Sequence, residues 1–462
     1  NGGWGSNYGQ NGSVIIEDII IATSTFETTY FVEGNSYPPS DSVKCIANTC
    51  SFSDVEIWSG STLRPVNSTG TGAIMTIASS GDMNVDGTIS GSMILDVSGN
   101  LNVDGTLSAN ARGCSRDNGP DTTTNACSGG GFGIGQDTGD GNYSGAGGGH
   151  GGNGGNGYRG YTTGGAYYGD PFDPLLFGSG GGTSTYSTDG YGGTGGGIVR
   201  LDVDGTFTNN GTISANGDNG TAGYNGGGGG AGGSINITAG ILAGDIGTYS
   251  ANGGSGGNVY IGDGGGGAGG KIYASYATTS ITNLETNFPT YTQVSGGWGS
   301  NYGQNGSVII EDTTSDTIYF VEGNSYVSLD STKCVVNTCS FANIELWNGA
   351  IFYPESNIGT GTIMTVATSG DLNVKNGGVI SGNMTLNVSN MNIESGGIIR
   401  ANGAGCSRGN GPDITTNACS GGGLGIGQGT GNGNYSAAGA GHGGAGGNGI
   451  GTLGGSTYGS EC

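Results

Sequence analysis

The chain's two histidines, His150 and His442, stand in matching glycine loops, GGHGG at 148–152 and GHGG at 441–444. A general base needs a partner that orients its ring, and the spacing here fixes none. Packing or hydrogen bonding inside the loop is therefore the favoured reading. Asp170 and Asp173 in GDPFDP would suit a glycosidase carboxylate pair, but turn and cap chemistry around two prolines explains them more simply. Calcium has one candidate loop, DTGDGNYS at 137–144, rich in carboxylate and glycine. The second occurrence of that loop reads GTGNGNYS, with Gly429 and Asn432 in place of Asp137 and Asp140, so a structural ion there would exist in one copy only. No catalytic residue and no other cofactor is expected.

Eight of the nine cysteines form close pairs: Cys45 with Cys50, Cys114 with Cys127, Cys334 with Cys339, and Cys406 with Cys419. Cys462 is left over. Local disulfides are the first reading, because pinned loops suit secreted chains. Zinc is the rival and free buried thiols the remainder; the spacings, without nearby histidine, match no standard zinc frame. Tyr158, Tyr161, Tyr167 and Tyr168, with Phe172, lie among glycines. They are candidate surface-binding aromatics for sugars, or equally a small core that locks the segment. The core reading is favoured, because isolated aromatics must find apolar cover.

These residues come in pairs because the chain repeats itself. GGWGSNYGQNGSVIIED occupies 2–18 and again 296–312; TTYFVEGNSY at 28–37 returns as TIYFVEGNSY at 317–326. A unit of about 294 residues is followed by part of a second, as in a window from a longer tandem array. Arrays extend length, which catalysis seldom needs.

Composition narrows the class further. Of 462 residues 110 are glycine, and hydrophobic residues make up 33%, so the chain is neither an ordinary globular mix nor charge-rich disorder. A net charge of −24 disfavours nucleic acid and anionic membrane surfaces as partners. No apolar run is long enough to span a bilayer. The ten Asn-x-Ser/Thr sequons, Asn67 and Asn236 among them, are what chance gives in so much Asn, Ser and Thr.

Short strands dominate, and no sustained helical period is present. DMNVDGTISG at 82–91 matches NLNVDGTLSA at 100–109, so that Met83, Val85 and Ile89 map onto Leu101, Val103 and Leu107 at an offset of 18. The strands between them, at 73–81 and 92–99, match with an expected offset of 19 from Ile74 to Met93. In the second copy Leu372, Val374 and Ile380 precede Met391, Ile393 and Ile399 at 19. Such returns predict an all-β fold, a parallel β-solenoid with inward side chains stacked coil on coil and Asn-Gly or Asp-Gly corners. GGTGG at 192–196 and GGAGG at 229–233 and 266–270 recur every 37 residues, each before a strand. The extra length is read as a glycine arm thrown out from each coil. Gly at every third position in GGHGGNGGNG suggests polyglycine II bundles beside the solenoid; a flexible glycine linker is the competing reading.

The expected organisation is a solenoid segment over 1–112, an expanded glycine-rich arm over 113–192, coils with glycine arms over 193–295, a second solenoid segment over 296–404 and a second arm over 405–462. Strings such as GGTGGGIVRLDV and GGGGAGGKIYASYA resemble the glycine-rich tandem repeats of giant bacterial surface and adhesin-like proteins. That resemblance implies a secreted, structural or adhesive β-solenoid and supplies no catalytic residues. The expected function is an extracellular, cell-surface fibre or stalk subunit that self-associates into filaments. The alternative is an adhesin whose Gly/Tyr arms bind glycans or a host surface. Ice binding, without a Thr-x-Thr ladder, and polysaccharide lyase chemistry, with only 11 Lys and Arg, rank below both.

Overall fold

The computed structural model describes residues 14–17, 28–36, 45–46, 49–64, 74–121, 125–129, 132–135, 144–184, 190–244, 247–258, 262–327, 331–335, 338–354, 363–402, 411–412 and 419–420. These residues are all-β, apart from one turn of 3-10 helix and the helix Leu284–Tyr291.

Most strands pair in parallel with the strand one coil away. Met83–Val85 pairs with Leu101–Val103 and Thr88–Ser90 with Thr106–Ser108, so Met83 meets Leu101, Val85 meets Val103 and Ile89 meets Leu107. Their side chains are buried while those between them are not, as period-two alternation requires. One expected register is corrected. Met75, not Ile74, pairs with Met93, so this strand also returns after 18 residues. A slip of one residue would have turned the inward set outward, and the buried positions are Met75 and Ile77, with Ile74 only half-buried. In the second copy Leu372, Val374 and Ile380 pair with Met391, Ile393 and Ile399.

The coils are also joined along their corners. Asp54 Oδ1 accepts from Asp82 N, Asp82 Oδ1 from Asn100 N, and Asn100 Oδ1 from Thr206 N, at 2.7–2.9 Å. A second corner does the same through Asn110, Asn216 and Asn252 to the amide of Ser295 at 2.7–2.8 Å. Each corner side chain caps a donor of the next coil, which accounts for the Asn and Asp at these turns.

Met93 pairs with Val199 at a separation of 106 residues, so the whole segment from 113 to 197 is an excursion between two adjacent coils. The later strands Ile198–Asn209, Ser234–Ala243 and Lys271–Thr279 stack in parallel, with Val199 against Ile235 and Ile235 against Ile272. The first of those steps is 36 residues, one fewer than the glycine spacing predicts, because Gly197 adds a third glycine after Thr194.

The glycine segments lie beside these coils as extended, hydrogen-bonded chains. In 226–233, Gly226, Gly229 and Gly232 donate to Gly262, Gly265 and Ala268; Gly227, Gly230 and Gly233 donate to Thr221, Asp218 and Ala215; Gly228 and Ala231 donate to Gly182 and Ser179, all at 2.7–3.1 Å. The carbonyls rotate likewise, Gly226 and Gly229 accepting from Gly145 and Gly148, Gly227 and Gly230 from Gly257 and Gly254, and Gly228 and Ala231 from Gly193 and Gly196. One chain thus bonds to six neighbouring segments with a period of three. Segment 264–270 donates in the same rotation, to 257, 254 and 251, to 145 and 148, and to 301 and 304. The approach leaves no room for a side chain: a Cβ on Gly228 would lie 1.8 Å from the carbonyl oxygen of Ala146.

The boundary between copies is continuous. Lys271–Thr279 pairs in parallel with Ser307–Asp312, the opening strand of the second copy. Parallel pairing does not hold throughout, because Ser307–Asp312 then turns back antiparallel onto Thr317–Val327. The first copy opens with the same hairpin, Val14–Glu17 against Thr28–Ser36. One apolar cluster runs through the first copy's coils, and a second begins at this reversal around Ile309, Phe320, Phe341 and Phe352.

Candidate functional site

The residues with chemistry converge where the long arm folds back over the copy boundary. His150 is wholly buried; its Nδ1 lies 2.9 Å from the carbonyl oxygen of Gly232, to which it donates, and its ring packs 4.9 Å from that of Tyr168. Burial, reinforced by the nearby Lys271 cation, lowers its pKa to about 3. Nε2 has no hydrogen-bond partner. A neutral ring sealed in the bundle is a structural donor without access for a substrate. His442 lies outside the described residues.

Lys271 is the neighbour that sequence reasoning missed. Its Nζ donates to the carbonyls of Tyr168 and Gly169, the latter at 2.6 Å. Burial lowers its pKa to about 7, against the opposing pull of Asp170. A signal was present. Lys271 opens its strand where the register partners Ser234 and Ser307 are small, so a long cation at that position had to reach something.

The four tyrosines do not form one surface. Tyr168 is buried, donating from its hydroxyl to the Phe177 carbonyl at 2.5 Å and accepting from Ser179 Oγ at 2.8 Å, which removes it from any exposed binding face. Tyr167 stacks on Tyr326 at 4.1 Å, and Tyr326 on Tyr353 at 4.7 Å. Tyr158 packs against its neighbour's guanidinium, Arg159 Cζ lying 5.0 Å from the ring centroid. Tyr161 is 57% exposed. Phe172 reaches farther, packing against Phe320 and Phe341 of the second copy at 6.2 and 5.8 Å.

Asp170 and Asp173 serve turns and neighbours. Asp170 accepts from Phe172 N through Oδ1 at 2.9 Å and from Thr332 N through Oδ2 at 2.6 Å. Asp173 accepts from Asn236 Nδ2 at 2.8 Å, and partial burial raises its pKa. The first copy's arm is therefore fastened to the second copy's opening coils through Asp170, Phe172 and Tyr167.

Cys114 is bonded to Cys127 and Cys334 to Cys339. Cys45 and Cys50 are register partners in the strand pair equivalent to that of Cys334 and Cys339. Cys419 pairs in register with Pro412 as Cys127 does with Pro120, while Cys406, Cys462 and the loop at 137–143 lie outside the described residues. No helix among the described residues is long and apolar enough to cross a membrane. No protein family, curated protein or solved structure matches the chain.

Proposed function

We propose that this chain is a subunit of an extracellular structural fibre or stalk, built as a parallel β-solenoid buttressed by polyglycine II bundles and lengthened by tandem units. The observation that carries the reading is the pairing of Lys271–Thr279 with Ser307–Asp312, through which backbone hydrogen bonding runs from one unit into the next. Repeated units that add rungs without interruption make a rod, in which each contact is local and length is the only quantity that changes. The period-three hydrogen bonding, with partners on six sides, supports the polyglycine II assignment. Disulfides at Cys114–Cys127 and Cys334–Cys339 suit an oxidising, extracellular setting.

The chemistry of the arm fits a mechanical role, since His150, Tyr168 and Lys271 are spent on carbonyls of the bundle itself. Electron microscopy of the purified chain, with diffraction from aligned material, tests the reading. Filaments with a rung spacing near 4.8 Å along the axis are expected; a uniform population of short monomers at high concentration would count against it.

The adhesin alternative has its own observation. Trp298 and Tyr302, in the repeated opening motif, are 40% and 68% exposed, and Tyr161 is exposed on the arm. Aromatic faces presented from a rigid glycine layer suit the apolar face of a sugar ring. Glycan-array binding that disappears on changing Tyr161 and Tyr302 would promote this reading over a purely mechanical one.

A further inference from the structure

The same hairpin occurs twice in this chain, once covered and once bare. In the first copy Val14 pairs with Glu33, Ile15 with Phe31, Ile16 with Tyr30 and Glu17 with Thr29. In the second Val308 pairs with Glu322, Ile309 with Phe320, Ile310 with Tyr319 and Glu311 with Ile318, with the register shift at the same place. The surroundings differ. Ile309 is wholly buried, in a cluster with Tyr273 and Phe172, whereas its counterpart Ile15 is 49% exposed.

What covers the second hairpin is known residue by residue. Ile272, Tyr273, Ala274 and Ser275 pair with Val308, Ile309, Ile310 and Glu311, and the Tyr273 hydroxyl donates to the Glu311 carboxylate. Phe172 closes the same cluster from the arm. Among the described residues Val14–Glu17 has one partner strand, Thr28–Ser36. Its sequence, VIIE, equals that of 308–311, so every group that receives the covering strand in the second copy is present in the first.

We propose that the Val14–Glu17 edge is a strand-acceptor site, and that its partner is the 271–276 strand of another copy of this repeat unit, added in parallel with Tyr273 opposite Ile15 and its hydroxyl on Glu17. The partner also supplies a residue equivalent to Phe172 to cover Ile15. The contact joins two different surfaces, head to tail, and such contacts propagate without closing. Backbone pairing provides affinity and the alternate side chains provide register. This rests on the fibre reading and gives that fibre its joint.

The test uses the full chain and a labelled peptide, AGGKIYASYATTS, corresponding to residues 268–280. Fluorescence anisotropy should show saturable binding, lost by the Tyr273→Asp peptide and weakened at least tenfold by Ile15→Lys in the chain. With Ile15→Cys in the chain, a Tyr273→Cys peptide should form the mixed disulfide faster than peptides carrying cysteine at 272 or 274. Absence of saturable binding, equal binding of the Tyr273→Asp peptide, or trapping without preference for position 273 would each overturn the proposal. Filaments seen by microscopy alongside a peptide that does not bind would leave the fibre reading standing and remove only this joint.

Discussion

His150 Nδ1 and the carbonyl oxygen of Gly232 are 2.9 Å apart, and in that contact a side chain stands in for a backbone donor. Gly145 and Gly148 donate to Gly226 and Gly229, and the next step of that rotation is filled by the imidazole. The ring must be neutral to remain there. Its pKa, held near 3 in the fold against about 6.5 in the unfolded chain, means that only the unfolded chain binds the proton between those values. Stability contributed by His150 is therefore complete above pH 6.5 and falls, by a few kcal/mol, as pH drops towards 3. Denaturant midpoints measured across that range should show the loss, and His150→Gln should flatten it.

Lys271 produces a second slope in the same direction. Its pKa falls from about 10.5 unfolded to about 7 folded, so the fold disfavours the ammonium and gains stability as pH rises from 7 to 10.5. Lys271→Met removes the titrating group and should abolish this rise. It should also lower stability at high pH by about 1–3 kcal/mol, by leaving the buried Tyr168 and Gly169 carbonyls without a donor. Chemical denaturation at pH 7 and pH 10 for both proteins separates the two effects.

Glycine in the bundle is a steric requirement. Gly228→Ala forces a methyl group against the Ala146 carbonyl and should cost at least about 1–3 kcal/mol. Gly129, where a Cβ would meet nothing nearer than 3.8 Å, is the control, and Gly129→Ala should leave the melting temperature within about a degree of the parent. Equal effects at the two sites would mean that the glycine segments are not packed.

Phe172 is the arm's anchor in the second copy. Replacing it with alanine empties a buried position between Phe320 and Phe341 and should destabilise by about 3–5 kcal/mol. The loss should be local. Amide exchange is expected to rise over 317–341 and to stay unchanged over 82–109, where a different apolar cluster holds the coils.

Much of the coil geometry was legible because inward and outward residues alternate. Met83 and Leu101 could be matched by eye, since each opens an identical NVDGT run, and the structure pairs them. The match of Ile74 with Met93 failed because adjacent apolar residues, Ile74 and Met75, blur the alternation, and only burial selects Met75. The hairpin reversal at 307–327 was not foreseen, although TTSDT at 313–317 between two apolar runs is turn chemistry. The tyrosines show the limit most clearly. Tyr167 and Tyr168 are neighbours of one type, yet one stacks on the next copy and the other is sealed beneath the arm. Which way each ring points depends on segments 150 residues distant in sequence, as with Tyr167 and Tyr326, and no local pattern encodes that.

A sheet can be peeled from its edge, one ladder at a time, because every strand there has a free side at which rupture starts. The glycine segment 226–233 offers no such starting line: its amides and carbonyls fasten it on all sides. Pulling it out requires breaking bonds to half a dozen chains at once, and severing any one neighbour leaves the remainder holding. Tension on the coils is thereby spread sideways into a cable-like mass, whose strength survives local damage and whose failure, when it comes, must be wholesale.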